Sequence, residues 1–303
     1  MKSSLTPDSK LTSSTVGSVK RSPQFNIAQW LFLVPFFVFS ALFLIAPTLV
    51  LAFRSFEAPG GGLTLENYRE LTSPTVLSAY SMSIRISLTT ALIGGLIGFF
   101  LAWAVTMGGL PRPFRSIITS FSGVASNFAG VPLASAFVYT LGRVGVITAM
   151  LKLLGINLYK SGFSIYSFAG LVVVYLYFQI PLMVLVILPA LDGLKREWRE
   201  AAENLGATPA QYWRNVALPV LMPSIMGTMI LLFCNSFGAH ATAYALTGGL
   251  FNLATLLIGQ QIEGDVLHNP GLGHAVAMGM VIIMAVSILI YSILQRRSER
   301  WLR

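Results

Sequence analysis

Long apolar runs, separated by polar segments, divide the sequence into six predicted membrane spans. Each run is nearly free of charge, and most reach the roughly 20 residues that an α-helix needs to cross a bilayer. We place the spans at residues 30–53, 86–107, 117–141, within 165–190, about 221–237 and about 272–294. The first run is too long for a removed signal peptide and lacks a small-residue cleavage site. The pattern predicts an all-α integral membrane protein.

The polar segments set the expected limits of the parts of the chain. Residues 1–24 are rich in Ser, Thr and Lys and poor in apolar side chains, which predicts a disordered tail. The remaining parts are a first transmembrane helix (25–56), an external loop (57–83), a membrane core (84–297) that contains the polar loop 192–219, and a C-terminal tail (298–303).

Several shorter elements are expected outside the spans. Three glycines at 60–62 interrupt the external loop, and a short surface helix is expected to begin at 65–68. Residues 146–154 have the apolar pattern of a short helix at the membrane interface. Residues 215–262 carry no charge but are too long for one span, so we expect 240–262 to form external or re-entrant elements.

The third predicted span contains residues that loosen a helix. Asn127, Gly130 and Pro132 lie within it. Glycine and proline inside a span free backbone groups that protein or water must then satisfy. We therefore expect an irregular helix at this point.

The composition and the distribution of charge support this topology. The chain is 55% hydrophobic and 10% charged, whereas soluble domains carry about 25% charged residues. Six spans put both termini on one side of the membrane, together with 14 of the 20 Lys and Arg residues. The positive-inside rule makes that side cytoplasmic. The net charge of +9 is thus a topology signal, with contacts to anionic membrane lipid, and does not predict a nucleic-acid partner.

The polar loop between the fourth and fifth spans has the pattern of two short helices, which we call the elbow (residues 195–219). Residues 195–205 are compatible with a helix, and Gly206 lies where a C-terminal glycine would end it. Thr208, Pro209 and Gln211 then form a capping-box pattern for a second helix to about Val216. We expect Pro219 to stop or kink this helix where the membrane begins.

The spacing within the elbow resembles the EAA loop of permease subunits of binding-protein-dependent ABC importers. The positions that carry the resemblance are Glu200, Ala201, Ala202, Gly206, Val216, Leu218 and Pro219, with valine in place of isoleucine. Residues 68–297 as a whole are also similar to the permease domain of this family. The resemblance implies a type I importer fold with six spans, and these seven residues as the contact with the ATPase.

The same resemblance implies the partners and the location. They are cytoplasmic ATP-binding subunits, a second permease subunit of the same or a homologous kind, and an external solute-binding protein, in a bacterial inner membrane. The chain has no G-x-x-x-x-G-K-[ST] motif of its own, so ATP hydrolysis is assigned to a partner.

Polar side chains within the spans are candidates for the solute pathway, because such groups are expensive in lipid. They are Asn127, Gln179, Asn235, Ser236 and His240. A polar group of this kind is more often a hydrogen-bond partner between helices than a solute ligand. No paired carboxylates, nucleophile with its base, or metal-ligand cluster is visible, and the single Cys234 forms no internal disulfide. We therefore predict no catalysis, no cofactor and no metal site.

Residues 237–249 resemble the corresponding region of spermidine/putrescine-type permeases, a subgroup with relatives for phosphonate, opine and ferric-ion uptake. The resemblance implies a polyamine-like or another small charged organic solute. Two other classes stay open, an ion-gradient-driven secondary transporter and a membrane scaffold. The predicted spans carry no ionisable residue at their centres, which argues against an ion-driven mechanism.

Overall fold

The computed structural model describes residues 27–58, 60–264 and 268–299. The predicted tail at 1–24 and residues 300–303 of the C-terminal tail lie outside the described residues. The chain forms two compact units, divided between Leu49 and Val50.

The first unit holds α1 (Ile27–Ser40), a π-helical turn (Ala41–Ile45) and the beginning of α2 (Ala46–Arg54). The π turn directly precedes the X-Pro pair Ala46-Pro47. The N–H of Ala46 bonds the carbonyl of Ala41, five residues back. Proline removes an i→i−4 bond and its ring clashes with the carbonyl four residues earlier. A wider turn at this point displaces that carbonyl, which lets the helix continue through Pro47.

The second unit is built from helices. Their bounds are α3 (Glu66–Glu70), α4 (Pro74–Met107), α5 (Arg112–Asn127), α6 (Gly130–Leu141), α7 (Val146–Leu153), α8 (Phe168–Asp192), α9 (Arg196–Asn204), α10 (Pro209–Tyr212), a second π turn (Trp213–Ala217), α11 (Leu218–Phe237), α12 (Ala241–Thr247), α13 (Ala254–Glu263) and α14 (Pro270–Glu299).

Six helical stretches in the described residues are long and apolar enough to cross a membrane, which confirms the predicted number. They are Leu33–Arg54, Pro74–Met107, Gly130–Leu153, Phe168–Asp192, Pro209–Phe237 and Pro270–Gln295. The third joins α6 and α7, which a turn at 142–145 separates. The fold class is all-α, as predicted.

Helices α4, α8 and α11 pack tightly at the centre of the second unit, and glycines on α4 allow their close approach. A Cβ atom on Gly98 would lie 2.7 Å from the carbonyl oxygen of Ile180 on α8. A Cβ atom on Gly95 would lie 2.1 Å from the sulfur of Met229 on α11. Small residues at membrane helix interfaces let backbones approach in this way. Buried side chains around the contact include Ala102, Met183, Ile187, Leu221 and Leu232.

The external loop expected at 57–83 is shorter than predicted. Helix α4 begins at Pro74, so the last part of that stretch is helical. The polar residues in this stretch concealed the start of the helix in the sequence. Contacts with other helices stabilise that start. Val76 and Ala79 are buried, and the Tyr80 hydroxyl donates to the carbonyl of Val276 on α14 at 2.7 Å. The predicted short surface helix is α3.

The third predicted span is two helices, not one. α5 ends at Asn127, Ala129 is extended, and α6 begins at Gly130 with a φ of +75°. That positive φ is the left-handed region, which favours glycine. The N–H of Gly130 donates to the hydroxyl of Thr242 on α12 at 2.7 Å. Another chain segment therefore satisfies a backbone group that the break exposes.

Of the two outcomes expected at Pro219, a stop is wrong, because the helix that begins at Pro209 does not end there. α10 continues through the π turn into α11, and the N–H of Leu218 bonds the carbonyl of Trp213, five residues back. The turn has the same spacing to Pro219 as the first π turn has to Pro47. Residues 240–262 fold as α12 and α13, with left-handed Gly248 and Gly249 between them.

Candidate functional site

The elbow has a hydrogen-bonded turn at its apex. The N–H of Gly206 donates to the carbonyl of Glu203, and the N–H of Ala207 donates to that of Ala202, each at 2.9 Å. With Gly206 at φ +79°, this is the two-bond cap that satisfies the last carbonyls of a helix. α9 therefore ends sharply, as the glycine predicted.

A capping box begins the second helix of the elbow. The side chain of Gln211 accepts from the N–H of Thr208 at 2.7 Å, and the Thr208 hydroxyl accepts from the N–H of Gln211 at 3.3 Å. Pro209 occupies the first turn, where no donor is needed. Because α10 runs without a break into α11, the second arm of the elbow and the fifth span form one helical rod.

Ion pairs on α9 connect residues one turn apart. Arg196 pairs with Glu200 at 2.8 Å and Arg199 pairs with Glu203 at 2.9 Å, as their spacing predicted. All four side chains are exposed, so each pair adds only a few tenths of a kcal/mol to the helix. Their role is to fix the direction of the side chains more than to stabilise the fold.

The elbow has an apolar groove, formed by residues of both arms, with an open volume of about 360 Å³. Its lining residues are Trp198, Ala201, Ala202, Leu205, Val216 and Val220. Leu205 is 88% exposed at the apex. An exposed apolar side chain on a capped turn, beside an apolar groove, is typical of a surface that contacts another protein.

Aromatic contacts fix the elbow to the end of α4. Trp103 meets Trp213 edge to face, with 5.9 Å between the ring centroids, and Tyr212 is buried beside them. Edge-to-face pairs of this kind add about 0.5–1.5 kcal/mol beyond the area that they bury. The elbow is thus attached to three of the spans, through α8, α11 and α4.

The structure brings most of the predicted contact residues together on the elbow. Glu200, Ala201 and Gly206 are exposed, and Ala202 is half-buried. Val216 lines the apolar groove with Ala201 and Ala202. The remaining two, Leu218 and Pro219, lie on the rod beyond the π turn.

An ion pair that sequence reasoning missed lies beside the elbow. Arg115 of α5 donates to the carboxylate of Asp192, the last residue of α8. The sequence did contain a signal, since Asp192 is the only carboxylate between Glu70 and Glu197. What it could not show is that Arg115 is the partner.

Two of the predicted pathway residues are buried between helices. Gln179 is fully buried and donates to the carbonyl of Leu232 on α11 at 2.7 Å. Ser236 is buried and shares a hydrogen bond with Thr90 of α4 at 2.9 Å. The cavity beside Ser236 has a volume of about 10 Å³, the size of one water molecule and too small for a solute.

The other three pathway candidates are exposed. Asn235 is on α11 and its amide donates to the side chain of Gln179 at 3.4 Å. Asn127 is at the end of α5, beside the helix break. His240 stacks on Tyr244 and borders a cavity of about 280 Å³ that Glu263 also lines. The structure therefore separates the five candidates into a buried pair and an exposed set.

Comparison with known proteins gives a family and a fold. Residues 94–303 match the family described as "Binding-protein-dependent transport system inner membrane component". The chain is 26% identical over 258 residues to a probable sulfate transport system permease protein from Helicosporidium sp. subsp. Simulium jonesii, covering 84% of this chain and 89% of the relative. It is 27% identical over 260 residues to the spermidine/putrescine permease PotB of Haemophilus influenzae, covering 82% and 87%.

A solved structure has the same fold. A chain from a bacterial ABC transporter involved in the import of the acidic polysaccharide alginate superposes with a TM-score of 0.69. The match covers 89% of this chain and 96% of that one, at 17% sequence identity.

Proposed function

We propose, from the premise that this chain belongs to the family of binding-protein-dependent transport system inner membrane components, that its elbow is the contact through which ATPase subunits drive the spans. The chain is a permease subunit of an ABC importer and is not itself catalytic. Glu200, Ala201, Ala202 and Gly206 would form the contact, with Val216, Leu218 and Pro219 completing the rod behind it.

One observation carries the proposal, the continuity of α10, the π turn and α11. A force applied to a flexible loop would bend the loop. A force applied to this elbow acts directly on the fifth span, because the helix continues past Pro219 without a break. The capped apex at Gly206 holds the first arm at a fixed angle to that rod, and α9 leads back to α8.

The proposed orientation puts the elbow and both termini in the cytoplasm, with the partners placed accordingly. The basic residues gathered on that side favour it by the positive-inside rule. ATP-binding subunits would contact the elbow, an external solute-binding protein would deliver the solute at the opposite side, and a second permease subunit would complete the pathway. The membrane is that of a bacterial cell, the inner membrane where there are two.

The proposed solute is a small inorganic oxyanion of the sulfate type. A sulfate permease is one of the similar relatives, and the three exposed pathway candidates carry two amides and a histidine. The six spans have no carboxylate at their centres, whereas a polyamine would be held best by carboxylates. Glu263, which lines the cavity beside His240, is a carboxylate of the kind that a polyamine needs. A polyamine-like solute remains the second candidate, favoured by the similar identity to PotB.

Reconstitution tests the function and the solute together. The permease, its ATPase subunits and its own solute-binding protein would be placed in proteoliposomes, and solute-stimulated ATP hydrolysis and uptake of labelled sulfate and spermidine would be measured. We expect stimulation that a bulky residue at Gly206 abolishes. Normal coupling in that variant would refute the role of the elbow. Uptake that survives ATP depletion but collapses with an uncoupler would favour an ion-driven transporter instead.

A further inference from the structure

The Arg115–Asp192 pair is unlike the other ion pairs in the described part of the chain. Two of the three pairs there lie within α9, between residues one turn apart. Arg115 and Asp192 are 77 positions apart and join α5 to α8. The pair is also at the junction with the elbow, since α9 begins at Arg196.

Each member of the pair is at the end of its own helix where its charge is unfavourable. Asp192 is at the C-terminus of α8, where the helix dipole disfavours an anion. Arg115 is in the first turn of α5, where the dipole disfavours a cation. Across the contact the signs are favourable, because the end of each helix attracts the charge carried by the other. Each charge therefore destabilises its own helix and stabilises the contact between α5 and α8.

The last turn of α8, which Asp192 ends, has a reduced set of backbone hydrogen bonds, although Leu188 and Leu191 are buried in the core. Pro189 supplies no N–H to the last turn of α8, and that turn closes through the N–H of Gly193 bonded to the carbonyl of Pro189 at 3.1 Å. A cavity of about 480 Å³ lies beside the pair, lined by Ser116, Thr119 and Ser120 of α5 and by the last turns of α8. The side chains do not fill this space, and within the described residues the ion pair is the polar side-chain contact between α5 and the last turn of α8.

The other end of α5 reaches the helix break. α5 ends at Asn127, and Gly130, which begins α6, is bonded to Thr242 of α12. A displacement of α5 at Arg115 would therefore reach the exposed candidate Asn127 and the segment after the fifth span.

We propose that Arg115 and Asp192 are positioning residues that make α5 move together with the elbow. The inference rests on the proposed function of the elbow. Without the pair, closure of the ATPase subunits would still move α8 and α11, but α5 would lag behind. ATP would then be hydrolysed with less solute transported.

The pair suits a clean test because its loss should leave the fold intact. Both side chains are about 40% exposed, at 41% and 42%, and exposed pairs of this kind contribute little to stability. The variants are Arg115→Ala, Asp192→Ala, and the exchange of Arg115→Asp combined with Asp192→Arg. Thr119→Ala is the matched control, since Thr119 lines the same cavity but its hydroxyl bonds only the carbonyl of Arg115 in its own helix.

The experiment uses the full reconstituted transporter with its ATPase subunits and solute-binding protein. Solute transported per ATP hydrolysed, retention of the ATPase subunits and melting temperature are measured for each variant. We expect each single substitution to lower transport per ATP by about fivefold or more, with subunit retention and melting temperature unchanged. The exchanged pair should restore the ratio, and Thr119→Ala should match the unmodified protein.

Two outcomes would overturn the inference. One is an unchanged ratio in both single variants, and the other is failure of the exchanged pair to restore it. Both are distinct from failure of the proposed function, in which the unmodified transporter itself shows no solute-stimulated ATP hydrolysis. If Gly206 variants uncouple the complex while the Arg115 and Asp192 variants do not, the elbow retains its role and only the proposed link to α5 is lost.

Discussion

A Cβ atom on Gly98 would lie 2.6 Å from the Cβ atom of Met183, so helices α4 and α8 touch where only glycine fits. Met183 is fully buried, and the carbonyl of Ile180 is as close on the other side. The contact holds together two of the three central helices that carry the elbow.

Substitution of Gly98 by alanine is therefore expected to destabilise the bundle. The added methyl group must push backbone and side chain apart, and such overpacking costs about 1–3 kcal/mol. Gly123→Ala is the matched control, because Gly123 is also inside a helix and nothing lies within 4 Å of its added Cβ. Melting of the purified protein should fall for the first variant only, and equal melting of the two would contradict the close contact.

The conformation of Gly206 predicts how strongly different substitutions at the apex of the elbow reduce coupling. Nothing in this chain lies within 4 Å of an added Cβ, so an effect on the fold of the elbow comes from the positive φ and not from a steric contact within the chain. An L-residue with a Cβ in this region costs about 1–2 kcal/mol, and asparagine tolerates it best. Solute-stimulated ATP hydrolysis should decrease from Gly to Asn to Val. An asparagine variant no better than the valine variant would indicate that side-chain size, not backbone conformation, matters.

The capping box of the elbow is predicted to keep its two arms rigid. Thr208→Ala removes an acceptor from the first turn of α10, which typically destabilises a helix by about 1 kcal/mol. Hydrogen exchange at the N–H of Gln211 should then accelerate. Gln211→Glu is the control, because glutamate keeps the reciprocal bond to the N–H of Thr208. Equal acceleration in both variants would mean that the side-chain bonds do not order this turn.

Substitutions at two neighbouring residues of α11, Ser236 and Asn235, should distinguish a role in packing from a role in transport. Ser236→Ala breaks a buried bond to Thr90, so melting should fall by the equivalent of about 0.6 kcal/mol, the average for such bonds in membranes. Transport by the remaining folded protein should keep its KM. The reverse pattern, an altered KM with unchanged melting, would place Ser236 on the pathway.

Asn235→Ala is expected to affect transport and not stability, the opposite of Ser236→Ala. Its side chain is exposed and makes only a long contact to Gln179, so melting should barely change. If this face of α11 borders the solute pathway, the KM for transport should rise. An unchanged KM would leave Asn235 without a role in transport.

The signals that sequence reasoning used for the elbow were local. A glycine after a helical run, and the Thr208-Pro209 pair followed by Gln211, predicted a cap and a capping box, and both are present. Such hydrogen bonds form between residues two to five positions apart, so the sequence contains both partners. The stop expected at Pro219 is absent because the π turn that ends two residues before it accommodates the proline, an arrangement that only the structure revealed at Pro47 and Pro219.

The sequence could not show which of the pathway candidates are buried and which are exposed. Gln179, Asn235 and Ser236 are all polar residues in apolar spans, and their types alone do not separate them. Burial depends on which helix covers each side chain, and that is decided by the close approach of α4 at its glycines. The partner of Asp192 was undetermined for the same reason.

The sequence by itself determined the number of spans, the helical class and the two arms of the elbow, because hydropathy, length and capping are properties of short stretches of chain. The sequence also placed an irregularity where α5 and α6 separate, at Asn127 and Gly130. The tertiary structure alone decided how early α4 begins, which polar groups are buried and that Arg115 meets Asp192. Those features depend on contacts between helices far apart in the chain, where the free energy comes from the fit of one surface against another.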